Sequence, residues 1–247
     1  MKHKFGVLQR AWPALPDLRP PASPLLQADG NGFPRGYQNI VEDEILKLVQ
    51  RLFILPGSVD APQAVAFCGV DKGTGCSWVC ARASETLAER VPGTVCLVDG
   101  NFRYPWLHEY FLLQNEAGLS DAMDDYRPIR EFARRTWVSK LSLITAGCAR
   151  NETRGTLDTA RLRSLFAELR SEFDYLLIDT PHISSYADAV LLGQLTDGVV
   201  LVVSSGSTRR HAARVAKENL EAEKIPMLGA VLNKRTYPIP EMLYRRL

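Results

Sequence analysis

The chain has 247 residues, which suits one α/β domain or one domain with a tail. A formal net charge of +2 argues against a polybasic nucleic-acid or membrane-surface protein. Five cysteines, an odd number with no C-x-x-C pair, disfavour both a disulfide framework and a zinc site, so reduced and mostly buried thiols are expected. The apolar runs are strand-length rather than membrane-spanning, and no signal-peptide core follows the basic start, so a cytoplasmic location is expected.

Residues 1–36 are proline-rich, show no helical or strand period, and read as a flexible tail. The domain follows over residues 37–236, and a short C-terminal tail occupies 237–247. Ile45, Leu48, Val49 and Leu52 recur at helical spacing in residues 39–53, with acids in the first turn and Pro56-Gly57 beyond. A strand over 64–68, a glycine-bearing loop and a helix from Ser77 to about Glu89 come next. A second apolar strand ends in Asp99. Residues 118–121 start a helix, with Ser120 as its cap, and residues 128–135 read as a basic helix carrying Arg130, Arg134 and Arg135. A strand over 141–144 precedes an amphipathic helix marked by Leu162, Leu165, Phe166 and Leu169. A third apolar strand ends in Asp179. A helix over 185–195, a strand over 198–204, a helix over 208–224 and a strand over 227–233 complete the chain. Such alternation predicts an α/β fold: a mostly parallel sheet with helices on both faces, three layers in all.

The loop after the first strand has the shape of a phosphate cradle. The usual pattern is G-x-x-x-x-G-K-[ST], in which backbone N–H groups and a helix N-terminus hold the anion. Gly75 and Ser77 fit it, but Cys76 stands at the lysine position, Val70 at the first glycine position, and Gly69 lies one residue early. Ligands of open α/β sheets bind outside the C-terminal strand ends, which is where this loop, Asp99 and Asp179 are all predicted to lie. Mg²⁺ takes hard oxygens and keeps several waters, so the Ser77 hydroxyl with Asp99 and Asp179 would suffice to hold it. Each aspartate alone reads equally well as a strand-end turn former. His182 follows the third strand and reads either as a solvated loop histidine or as a neighbour of the nucleotide.

In order along the chain, Cys68 to Cys80, the run Leu97 to Arg103 followed by Pro105, Leu176 to Pro181, and Leu228 to Asn233 resemble the motifs of the bacterial tyrosine kinases. These P-loop NTPases act with membrane proteins in capsule and exopolysaccharide synthesis and export. The resemblance spans roughly residues 40–235. It implies ATP or ADP with Mg²⁺ as ligands, and a membrane polysaccharide chain-length or co-polymerase protein as partner. It further implies a homo-oligomer at the inner face of the cell membrane, and no nucleic acid. Residue by residue, Gly73, Thr74, Gly75, Cys76, Ser77 and Trp78 would wrap the phosphates, with Ser77 on Mg²⁺. Asp99 and Asn101 would handle the metal and the accepting hydroxyl, and Asp179 would be the acid of the Walker B strand. Asn233 would lie beside the base, and Arg103 near the transferred phosphate or a neighbouring subunit.

The sequence departs from that pattern at Cys76 in place of lysine and at Asn101 in place of a second acid. In addition, only Tyr237 and Tyr244 lie near the C-terminus, and the oligomerisation pattern E-x-x-R-x-x-R is reduced to Glu44, Lys47 and Gln50. A positive charge 4 Å from a phosphate oxygen is worth on the order of 4 kcal/mol at an effective dielectric of about 20. If most of that is expressed only in the transition state, transfer slows roughly a thousandfold. Lys72, in the same loop, is the candidate for partial compensation. Three readings therefore stand: a degenerate family member with a regulatory role, an active kinase or ATPase, and a partition-type ATPase sharing the fold.

Overall fold

The structure is a computed structural model and describes residues 35–55, 61–148 and 158–235, with the side chains of 35–39 left aside. The tail read over residues 1–36 lies up to residue 34 outside the described residues, as do Pro56-Gly57, Tyr237 and Tyr244. The first helix, α1, runs Arg35–Val49 and continues as a π-helical turn over Gln50–Ile54. The turn brings Leu52 and Phe53 together into the core beside Ile45 and Val49, and Phe53 meets Tyr175 edge-on at 5.9 Å.

Seven strands form one sheet: β1 (Ala64–Gly69), β2 (Val95–Asp99), β3 (Arg134–Arg135), β4 (Leu141–Ile144), β5 (Tyr175–Thr180), β6 (Gly198–Ser204) and β7 (Met227–Asn233), in the order β3-β4-β2-β5-β1-β6-β7. Every pairing is parallel except β3 with β4. The central strands are apolar without alternation because both faces are covered. Val65, Phe67, Val95 and Leu97 pack with α1 and with α2 (Cys76–Arg90) on one face. On the other, Ala66, Cys68, Cys96 and Val98 pack with residues of α4 (Leu119–Asp124), α5 (Thr159–Glu172), α6 (Ala187–Gln194) and α7 (Arg210–Ala222). The short α3 (Leu107–Tyr110) follows β2. No described helix is long and apolar enough to cross a membrane.

Two local expectations are corrected. Residues 128–135 do not form a basic helix: a single 3-10 turn over Ile129–Phe132 buries Ile129 and Phe132, and Arg134–Arg135 pair with β4. Ala133 is already extended, so too few residues remain after Pro128 for an α-helix. Ser120 is not the cap of α4. Gly118 holds that position, and the Asp121 carboxylate accepts its N–H at 2.9 Å, while the Ser120 N–H donates to the Ala146 carbonyl at 3.0 Å.

Candidate nucleotide site

The loop between β1 and α2 is shaped by its glycines. Gly73 and Gly75 have φ of 81° and 80°, in the left-handed region where side chains are strained. A Cβ on Gly75 would also stand 2.5 Å from the Asn233 amide nitrogen. Gly69, one place early in the motif, has a different duty, since a Cβ there would lie 2.5 Å from the Thr74 hydroxyl. Gly75 caps α2, whose first N–H groups find no acceptor inside the helix and carry its positive dipole end. Thr74 is buried, and Ser77 and Trp78 are half-buried on the first turn of α2.

Cys76 is buried beneath this turn, beside Asp179. Burial first, and then the Asp179 charge, push its thiol well above the ordinary value, so it is neutral. Asp179, one residue before the end of β5, is wholly buried and neither of its oxygens has a partner at hydrogen-bonding geometry. Burial and then the neighbouring Asp99 raise its proton affinity, and the nearby Ser77 and Cys76 side chains only partly offset this. Asp99 is Asp179's register partner at the end of β2, also wholly buried. Its Oδ1 accepts the Asn101 N–H at 3.1 Å, and its Oδ2 accepts the N–H groups of Trp106 and Leu107, each at 3.2 Å. It therefore organises the turn into α3 as well as facing the site, and burial lifts its pKa to about 7 against the pull of those amides.

The remaining candidates are engaged with the protein itself. The Asn101 side chain accepts the Tyr104 N–H at 3.2 Å. Arg103 pairs with Asp188 at 3.1 Å and lies over the Tyr186 ring, 5.2 Å from its centroid. Asn233, the last residue of β7, donates to the Thr74 carbonyl at 2.8 Å and so fastens the loop. His182 pairs with the Ser184 hydroxyl at 3.0 Å and meets Tyr186 edge-on. The Lys72 ammonium lies over the Tyr104 ring, 4.4 Å from its centroid.

Lys234 was missed by sequence reasoning. From the residue after β7 its ammonium reaches the Gly73 carbonyl at 2.7 Å. The only sequence signal is position: it follows a strand whose C-terminal end shares the edge with β1, β2 and β5.

The residues present fit a magnesium-bound nucleotide. The left-handed glycines and the helix start fit an anion, and the two orphaned oxygens of Asp179 beside the Ser77 hydroxyl fit a hard cation or the water it carries.

A phosphate-shaped loop joining a buried central strand to a helix, with two strand-end carboxylates beside it, defines the P-loop NTPase fold. No protein-family model matches the chain. It is 32% identical over 161 residues to the tyrosine-protein kinase YwqD of Bacillus subtilis (strain 168), covering 65% of this chain and 68% of that one. The crystal structure of the chimerical protein CapA2B2 matches with a TM-score of 0.72 and 25% identity, over 79% of this chain and 85% of that one. A ParA family ATPase from Chlorobium tepidum TLS matches less well, with a TM-score of 0.61 and 19% identity over 70% of this chain and 75% of that one, and shows the fold alone. The chain belongs to the bacterial tyrosine-protein kinase family.

Proposed function

We propose that this family member binds a magnesium–adenine nucleotide weakly and transfers its phosphoryl group slowly or not at all. Its role is regulatory, in capsule or exopolysaccharide synthesis and export. Its partner is a membrane polysaccharide chain-length or co-polymerase protein that holds it at the inner face of the membrane, where it can form homo-oligomers. The observation that carries this reading is Cys76: a buried, neutral thiol where the motif places an ammonium. Gly73, Thr74, Gly75 and the first turn of α2 would hold the phosphates, and Ser77 with Asp179 the Mg²⁺. Bound there, the metal ion would neutralise phosphate charge. Asp99 supports the turn and restrains Asp179, while Asn101, with an amide in place of a carboxylate, cannot take the proton of an accepting hydroxyl. Trp78, Arg103 and Asn233 complete the surround.

Titration of a fluorescent ATP analogue, with phosphotyrosine detection on the purified chain, tests this against the active-enzyme reading. Wild type should bind weakly and show little transfer, and Cys76→Lys should gain both. Equal tight binding and equal turnover in the two proteins would overturn it.

A further inference from the structure

We propose that Lys234 supplies to a bound nucleotide the positive charge that the loop lacks at Cys76. The inference rests on the nucleotide-binding part of the function proposed above and names a residue outside the family motif.

Lys234 lies 161 positions from the glycine it touches, and its ammonium is 2.7 Å from the Gly73 carbonyl. Its stem runs over the cradle, since a Cβ built on Gly75 would be 3.8 Å from its Cε. The cation is thus already beside the two left-handed glycines that open the anion nest. Its backbone is held for this reach. Lys234 has φ of 57°, an unfavourable conformation for a side-chain-bearing residue. It is fixed there because its own N–H donates to the Asn233 side-chain oxygen at 2.8 Å while the Asn233 amide is fastened to Thr74 at 2.8 Å. Such strain persists where surrounding contacts over-determine it, and it concentrates at functional sites.

The other loop cation, Lys72, is placed over Tyr104 instead. No carboxylate among the described residues forms an ion pair with Lys234, and its one described side-chain contact is a neutral carbonyl. An ammonium has three donors on a flexible stem, so it can keep or release Gly73 while donating to a phosphate oxygen. The site then draws its charge from the end of β7 rather than from the start of α2.

The test measures binding of a fluorescent ATP analogue with Mg²⁺, and of inorganic tripolyphosphate by competition, to wild type, Lys234→Gln and Lys234→Arg. Lys234 is exposed, so the variants are expected to fold, and melting curves check this. Glutamine keeps a neutral donor for the Gly73 carbonyl and arginine keeps the charge. Lys234→Gln should weaken both ligands about tenfold or more, and Lys234→Arg should stay within about threefold of wild type. Wild-type affinity in Lys234→Gln would overturn the proposal and leave the nucleotide site standing, with Lys234 only a fastener of the loop. No binding of either ligand by wild type would overturn the proposal together with the nucleotide reading.

Discussion

Asp99 and Asp179 face each other as Cα partners where β2 pairs with β5, both wholly buried, yet their carboxylates meet opposite surroundings. Three backbone N–H groups converge on Asp99, whereas no donor meets an Asp179 oxygen at full hydrogen-bonding geometry, and the nearby Ser77, Cys76 and Thr180 only partly offset its burial. A buried carboxylate without donors favours its protonated form, and a second carboxylate close by reinforces that preference. On the proposed reading, a cation between Asp179 and the α2 start would supply the charge that Asp179 lacks.

A pH dependence of stability follows. Asp99 moves from an ordinary 3.8 to about 7 in the folded chain, and Asp179 moves in the same direction. Between those pH values the folded state holds protons that the unfolded chain has released. Stability is therefore greatest at the acid end of the window and falls as pH rises towards 7, by at most about 1.4 kcal/mol per pH unit for each group. Metal-free protein should melt at a lower temperature at pH 8 than at pH 5. Asp179→Asn should melt above wild type at pH 8, by on the order of 1–2 kcal/mol, with a shallower decline, because it removes the unpaired charge. A mutant less stable than wild type at pH 8 would contradict this account of the pair.

Asn233 offers a separate handle on the cradle. Its amide donates to Thr74 and its carbonyl accepts from Lys234, so it joins the loop to the end of β7. Asn233→Ala should cost about 1 kcal/mol of stability for the lost bond. It should also lower affinity for the ATP analogue, since both loop and Lys234 lose their anchor. Chemical denaturation and the same titration measure the two effects; unchanged affinity would mean that the loop holds its shape without Asn233.

The sheet and its helices were legible because buried parallel strands write themselves as short apolar runs, such as those ending at Asp99 and Asp179. The turn from β1 to α2 was legible because a glycine-bearing run separates an apolar strand from a helix, and the structure adds that Gly73 and Gly75 take left-handed backbone there. What the residues did not announce is long-range. Nothing near Lys234 says that its ammonium would find Gly73, and nothing near Lys72 says that Tyr104 would take it. The basic stretch around Arg134 misled because its period is helical while Pro128 and the edge pairing with β4 leave room for one 3-10 turn. Asp99 read as a metal ligand, as an acceptor for a hydroxyl proton or as a strand-end turn former, and the three amides it gathers, from residues up to eight positions on, show the last of these duties.

Gly118 carries a constraint of another kind. A Cβ there would lie 2.1 Å from the Thr145 carbonyl oxygen and 2.4 Å from the Gly147 nitrogen, both backbone atoms. The start of α4 presses on the end of β4, where Leu119 donates to Thr145 at 2.8 Å and Ser120 to Ala146 at 3.0 Å. Gly118→Ala should cost about 3 kcal/mol, because a strand end and a helix start must separate to admit one methyl. A loss under about 0.5 kcal/mol in denaturant melts would show that the contact relaxes freely.

The thiols give a direct check on the premise that Cys76 is a sheltered neutral group. Cys68, Cys76, Cys80 and Cys96 are buried, and Cys148 is exposed. Burial pushes the Cys68 thiol up to about 12 and raises those of Cys76, Cys80 and Cys96 as well. Only thiolates attack disulfide reagents, so the buried four are protected twice, by access and by protonation. At pH 8 the native chain should release one equivalent quickly from an aromatic disulfide reagent, mapped to Cys148 by mass spectrometry, and all five after unfolding. Rapid labelling of Cys76 in the native chain would place an ionised, accessible sulfur at the phosphate loop. A thiolate there would repel a nucleotide, and the site could no longer be described as merely short of one positive charge.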